Sequence, residues 1–167
     1  METMKNPLPL PTDCWIEVTS RCNLKCPFCA QTVYPQSKGD MSLELFNELE
    51  ALFSRTRYVN LYSAGEPFMH PNYFEMLRRV KAYDNVVSVI TNGTLLDEIT
   101  CTGVVKGGID IINISIDGAT AKTFNYIRRG ADFNKVLENV RRLTEIRKSM
   151  GKKNPYIAIN LAHDGIL

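Results

Sequence analysis

The chain has 167 residues, 44% hydrophobic and 23% charged, with a formal net charge of +2. This is ordinary globular composition, long enough for one domain with its own core, and it gives no global electrostatic case for nucleic acid or an anionic membrane. No apolar run approaches the ~18 residues of a membrane span, Met1 to Pro11 lacks the apolar region of a signal peptide, and five cysteines without a secretory signal suggest a reducing, cytoplasmic setting.

Residues 1–11 read as an N-terminal extension and 12–167 as one domain. Trp15-Ile16-Glu17-Val18-Thr19 is a short strand that runs into a cysteine-rich loop. Ser42 caps a helix carrying Leu45, Phe46, Leu49, Leu52 and Phe53 on one face. Arg57 to Tyr62 is a second strand, stopped by Ala64-Gly65, and Pro71-Asn72 opens a helix that buries Phe74, Leu77 and Val80. Val86 to Ile90 is a third strand, ended by Thr91-Asn92-Gly93. A weaker helix, Leu95 to Val105, stops at Gly107-Gly108. Ile109 to Ile116 is a fourth strand, so rich in isoleucine that both faces are expected to be buried. Asp117-Gly118 turns it into a short helix. A long helix from Asp132 points Phe133, Val136, Leu137, Val140, Leu143 and Ile146 inward and ends at Gly151, and Tyr156 to Leu161 is a fifth strand. Strands alternating with helices give βαβ crossovers and a parallel sheet.

The polar and glycine-rich segments fall at strand C-termini, the edge where parallel α/β sheets and barrels place their sites. One of them holds Cys22, Cys26 and Cys29 in a C-x3-C-x2-C spacing with no fourth cysteine close behind. Three thiolates can hold a cubane iron–sulfur cluster by three irons and leave the fourth open, whereas a cluster held only for electron transfer is normally closed by four ligands. Two plainer readings stand beside this one. A zinc site could be completed by His70 or Cys14, although structural zinc usually draws paired ligands from two clusters. An electron-transfer cluster could take Cys101, although that residue falls inside a predicted helix. Cys14 and Cys101 are otherwise packing residues, His70 is a structural residue at a helix start, and His163 receives no role. Arg141, Arg142, Arg147, Lys148, Lys152 and Lys153 read as a solvated helix face and its tail.

With this triplet, Ala64-Gly65-Glu66-Pro67, Ser115-Ile116-Asp117-Gly118 and Tyr126-Ile127-Arg128 in this order on successive units, the chain resembles the radical S-adenosylmethionine (SAM) superfamily from about Ile16 to about Leu161. The nearest look is to the branch of peptide-modifying maturases and molybdenum-cofactor-type enzymes. The resemblance implies a partial parallel (β/α) barrel of α/β class, with about five of six strand–helix units present. It implies that Cys22, Cys26 and Cys29 ligate a [4Fe-4S] cluster whose open iron is chelated by SAM. Ala64, Gly65 and Glu66 would receive the SAM amino group, with Ala64 standing where many members have glycine. Ser115 and Arg128 would bind the SAM carboxylate or ribose, Asn92 and Asp117 would lie near the nucleoside, and Phe28 would lie against the adenine. Arg21 and Lys25 beside the cysteines would favour thiolates, and small residues at Ala64 and Gly65 would let the backbone approach a ligand.

The implied reaction is reductive cleavage of SAM to methionine and a 5′-deoxyadenosyl radical, which takes a hydrogen atom from a peptide or small-molecule substrate. A one-electron reductant such as flavodoxin or ferredoxin would supply the electron. The chain is expected to be a C-terminally incomplete core, without the segment that usually contacts substrate. The alternative is an inactive remnant or binding module that keeps only the cluster and SAM sites.

Overall fold

The computed structural model describes residues 11–34 and 37–161. Five parallel strands form one sheet: β1 (Asp13–Trp15), β2 (Tyr58–Asn60), β3 (Val86–Thr91), β4 (Ile111–Ser115) and β5 (Tyr156–Asn160), in the spatial order β1-β2-β3-β4-β5. The order never reverses. A doubly wound sheet reverses once and so carries helices on both faces; this sheet winds one way, as a barrel wall does. The helices are α1 (Ala30–Val33), α2 (Leu43–Asn47), α3 (Glu50–Phe53), α4 (Tyr73–Val80), α5 (Glu98–Gly107), α6 (Ala121–Ile127) and α7 (Phe133–Ser149). Among the described residues none is long and apolar enough to cross a membrane.

Side chains alternate across each strand. Val59, Val87, Val89, Ile112 and Ile114 point to one face and are fully buried with Phe46, Met76, Leu77, Val104 and Leu143 from the helices. Each such side chain contributes on the order of 1.5–3 kcal/mol. Of the opposite residues of the same strands, Trp15, Ser88, Ile111 and Ala158 are half-buried or exposed, while Asn60 and Ser115 are buried. The expectation that β4 is buried on both faces is therefore corrected: Ile112 and Ile114 serve the packed face, while Ile111 and Asn113 on the other face are only half-buried.

Strand and helix boundaries show where local pattern gave way to packing. β1 begins two residues before the expected strand and ends at Trp15, with Thr19 bridging antiparallel to Asp40 instead of pairing with β2. The helix expected after Ser42 is split. Ser42 Oγ does accept from the Leu45 N–H at 3.2 Å, but tight bonds from the Glu48 and Leu49 N–H groups to Leu45 and Phe46 carbonyls end the first piece. The break brings the Phe46 and Phe53 rings to 5.2 Å and leaves Leu45 outside, 50% exposed. In α4 it is Tyr73, Met76, Leu77 and Val80 that are buried, while Phe74 is only partly covered. Two of the arginines expected on a solvated face of α7 reach back to loops: Arg142 donates to the Leu96 carbonyl at 3.0 Å and Arg147 to that of Pro155 at 2.7 Å.

Ile111 and Ile112 are adjacent, identical and on opposite faces. Ile112→Ala is expected to cost about 2–5 kcal/mol in urea denaturation, and Ile111→Ala less than half of that. Equal losses would mean that both faces are core.

Candidate functional site: a cysteine loop on three strand ends

The loop of Cys22, Cys26 and Cys29 leaves the β1 end and is tied down by three other strand–helix units. The first tie comes from the turn after β2. Glu66 N–H donates to the Arg21 carbonyl at 2.7 Å. A Cβ on Gly65 would lie 2.1 Å from the Thr19 carbonyl oxygen and 2.9 Å from that of Arg21, so only glycine lets the two backbones meet. The smallness expected to admit a ligand admits the chain itself. The second tie comes from the turn after β3: Asn92 Nδ2 donates to Asn23 Oδ1 at 2.9 Å, and Asn23 Nδ2 to Thr94 Oγ1 at 2.8 Å. Asn139 of α7, almost fully buried, supports that turn by donating to the Gly93 carbonyl at 2.9 Å, and Gly93 supplies the positive φ of 75° that the turn requires. The third tie is Lys25 N–H to the Arg129 carbonyl at 3.0 Å, from the segment after α6.

Glu66 is the electrostatic centre of this framework. Its side chain is buried, and its oxygens accept from Thr91 Oγ1–H at 2.8 Å, Asn92 N–H at 2.7 Å and Phe68 N–H at 3.3 Å. Burial pushes its carboxyl up to about 7 against the pull of those donors and of Arg128. Both of its oxygens are thus engaged by the protein. Ala64 is exposed beside it, with its N–H donating to Glu17 Oε1 at 3.1 Å.

On the far side, Asp117 and Arg128 form an ion pair, with the Asp117 side chain fully buried. Ser115 is buried at the end of β4 and Phe28 is 44% exposed. All eleven residues singled out in the sequence therefore lie on the cysteine loop or at the ends of β2, β3 and β4 and the segments that follow them. Sequence reasoning missed Asn23, Thr91, Thr94 and Asn139, which hold the loop through side-chain amides and hydroxyls that carry no spacing signature.

The three cysteines are free thiols. Burial pushes Cys22 and Cys26 up, and the Arg128 guanidinium pulls Cys26 back. The expected help from Arg21 and Lys25 takes another form: Arg21 is committed to Asp40 at 2.7 Å and to the Met69 carbonyl at 2.9 Å, and Lys25 is exposed. The thiols lie close enough to feel one another's charge. Among the described residues, however, no three His, Cys, Asp or Glu side chains converge as a single ion requires. Three soft donors suit a multi-iron cluster, whose ligands bind separate irons. His70 has both ring nitrogens engaged by backbone, Nε2 with the Met41 carbonyl at 2.9 Å and Nδ1 with Asn72 N–H at 3.0 Å, and Cys101 is buried with its Sγ donating to the Leu96 carbonyl. His163 lies outside the described residues.

The sequence pattern of the radical SAM superfamily matches residues 16–155. A GTP 3′,8-cyclase of Chlorobaculum tepidum is 30% identical over 154 residues, covering 90% of this chain and 46% of that protein. The subtilosin biosynthesis protein AlbA of Bacillus subtilis is 31% identical over 144 residues, covering 84% of this chain and 32% of that protein. The chain thus spans less than half the length of these curated relatives. In structure it is similar to Streptococcus suis SuiB bound to S-adenosylmethionine, with a TM-score of 0.73, 18% identity, and coverage of 92% of this chain and 34% of that one.

Two outcomes test the framework. Gly65→Ala is expected to cost about 2–3 kcal/mol by overpacking against backbone that cannot yield, read as a lower melting temperature. Glu66 binds its proton more tightly folded than unfolded, so its contribution is complete below its ordinary 4.5 and is lost as pH rises through about 7. Stability of the metal-free chain should therefore fall across that window in the wild type, and the slope should flatten in Glu66→Gln. An unchanged slope would mean that Glu66 is ionised throughout.

Proposed function

The chain belongs to the radical SAM superfamily, whose members use a [4Fe-4S] cluster and SAM, and from that premise we propose that it is the cofactor-binding core of an enzyme that cleaves SAM reductively. The observation that carries this reading is the convergence of three free thiols with the Gly65–Glu66 turn, Asn92 and the Asp117–Arg128 pair at one sheet edge. In this reading Cys22, Cys26 and Cys29 hold the cluster. When bound, the cluster supplies the electron that splits SAM and so starts radical chemistry on a substrate.

The residues divide the remaining work. Because the carboxylate of Glu66 is occupied by protein donors, a SAM amino group would meet the backbone carbonyls of the Ala64–Glu66 turn, with Glu66 fixing that turn from behind. Arg128, oriented by Asp117, would present its guanidinium to the SAM carboxylate or ribose in forked geometry. Ser115 and Asn92 would face the nucleoside, and Phe28, exposed at the rim, would cover the adenine. A one-electron reductant such as flavodoxin or ferredoxin would deliver the electron, in the reducing cytoplasm that suits five free thiols.

The substrate would lie against the open sheet face beneath this mouth. One register row there reads Trp15, Asn60, Ser88, Ile111, Tyr156, and the next includes Ile90, Asn113 and Ala158. The strand residues of both rows are uncharged, and Glu17, two residues beyond Trp15, adds a negative charge at the rim. Amides, hydroxyls and aromatic rings suit a peptide or another uncharged group and offer nothing to a triphosphate, so this part of the chain favours the bacteriocin named for one relative over the GTP named for another.

Anaerobic reconstitution tests the proposal. Wild type should bind about four irons per chain, release 5′-deoxyadenosine on reduction with SAM, and lose its iron in Cys26→Ala. A loaded cluster without that nucleoside would make the chain a binding module. Trp15 is the single tryptophan, so its emission reports on the face: a capped neutral peptide should shift it in the presence of SAM and GTP should not. The reverse result would contradict the substrate reading.

A further inference from the structure

Two side-chain nitrogens touch the cysteine sulfurs, and each is locked there by a partner on its far side. Asn92 is buried, and its Oδ1 accepts from Thr94 N–H at 2.9 Å and from Thr94 Oγ1–H at 2.7 Å. An amide whose oxygen is engaged by two donors must present its NH2 group the other way. That group meets Asn23 Oδ1 at 2.9 Å and Cys22 Sγ at 3.9 Å. Arg128 is held in the same manner. Its Nε is paired with the buried Asp117 carboxylate, and a terminal guanidinium nitrogen lies 3.9 Å from Cys26 Sγ, a hydrogen-bonding separation for an atom as large as sulfur. The donors arrive from different strand–helix units, β3–α5 and β4–α6, and reach different cysteines.

We infer that Asn92 and Arg128, beyond any contact with SAM, are positioning residues that set the reduction potential of the cluster by donating N–H···S hydrogen bonds to two of its three cysteine sulfurs. The inference rests on the cluster ligation proposed above. Hydrogen bonds to the sulfurs, net charge and solvent exposure are the levers that set iron–sulfur potentials. Reduction transfers one electron from an external one-electron reductant to the cluster, and no proton or leaving group accompanies it. The added negative charge is shared with the coordinating sulfurs, so a donor aimed at a sulfur stabilises the reduced form more than the oxidised form and raises the potential. Asp117 offsets much of the Arg128 charge at long range. The directed N–H contact is then the larger local contribution, as it is for the neutral Asn92. The physical consequence is a cluster that accepts an electron more easily than three bare thiolates would allow.

The test compares midpoint potentials of the reconstituted full chain without SAM, by dithionite titration followed with electron paramagnetic resonance, after iron per chain has been measured. Asn92→Ala and Arg128→Met should each lower the potential, by a shift of about tenfold in the one-electron equilibrium, which corresponds to ~59 mV. Arg128→Lys, which keeps a cationic donor, should recover most of its shift. Thr94→Val leaves the sulfur neighbours in place but loosens the amide, and should move the potential in the same direction by less; it keeps the inference falsifiable if Asn92→Ala does not fold. A merely structural role would change iron content or melting temperature while leaving the potential of the loaded fraction unchanged, and that result in both Arg128→Met and a folded change at Asn92 or Thr94 would overturn the inference. A wild-type chain that takes up no iron would overturn the ligation and this inference together, and is distinguished from the previous result by the iron assay.

Discussion

The contact on which the site depends is backbone against backbone. At Gly65 the turn after β2 lies so close to Thr19 and Arg21 that a methyl group would overlap the Thr19 carbonyl, and the Glu66 N–H closes the contact on the Arg21 carbonyl at 2.7 Å. This seats the root of the cysteine loop on a neighbouring strand rather than leaving it to solvent. Glu66 then extends the same contact inward. Its carboxyl group accepts from Thr91, Asn92 and Phe68, so the ends of β1, β2 and β3 are joined through one residue. Burying a carboxylate is costly, and the donors that offset part of that cost come from the elements that must be held together.

The sheet explains why the site lies at this edge with a free face below it. Five strands run in unreversed order, and Val59, Val87, Val89, Ile112 and Ile114 pack on one side against residues of α2, α4, α5 and α7. The other side is left to Trp15, Asn60, Ser88 and their neighbours, which are too polar and too sparse to make a core. The same alternation therefore creates both a packed wall and an open face. The cysteine loop, the Asn92 turn and the Asp117–Arg128 pair sit at the strand C-terminal edge of that face.

Much of this was legible in the sequence because it depends on residue type and spacing. The cysteine triplet, the small residues before Glu66 and the polar residues at the ends of β3 and β4 mark the rim, and alternation of strands with amphipathic helices marks the parallel sheet. What was hidden depends on three-dimensional closure. The isoleucines of β4 look the same whether one face or two are covered, and only the winding of the sheet decides. Leu45 fits the helical stripe of its neighbours, but the break at Glu48 and Leu49 rotates it outward. The role of Asn139 could not be seen, since a polar residue on a long helix normally faces water, whereas this one is buried against the Gly93 carbonyl. The place of Glu66 at the turn after β2 was legible, but the three donors that engage its carboxyl group were not.

In the proposed reading, the thiols, the turn that seats them and the nitrogens that touch them would hold a cluster and leave one of its irons open to SAM. The most direct measurement is electron–nuclear double resonance on the reduced, reconstituted chain mixed with SAM isotopically labelled at its amino nitrogen. A hyperfine coupling between that nitrogen and the cluster is the expected result, since an iron without a protein ligand would take SAM directly. A reduced cluster that shows no coupling to the label at saturating SAM would contradict the account, because the fourth iron would then be closed.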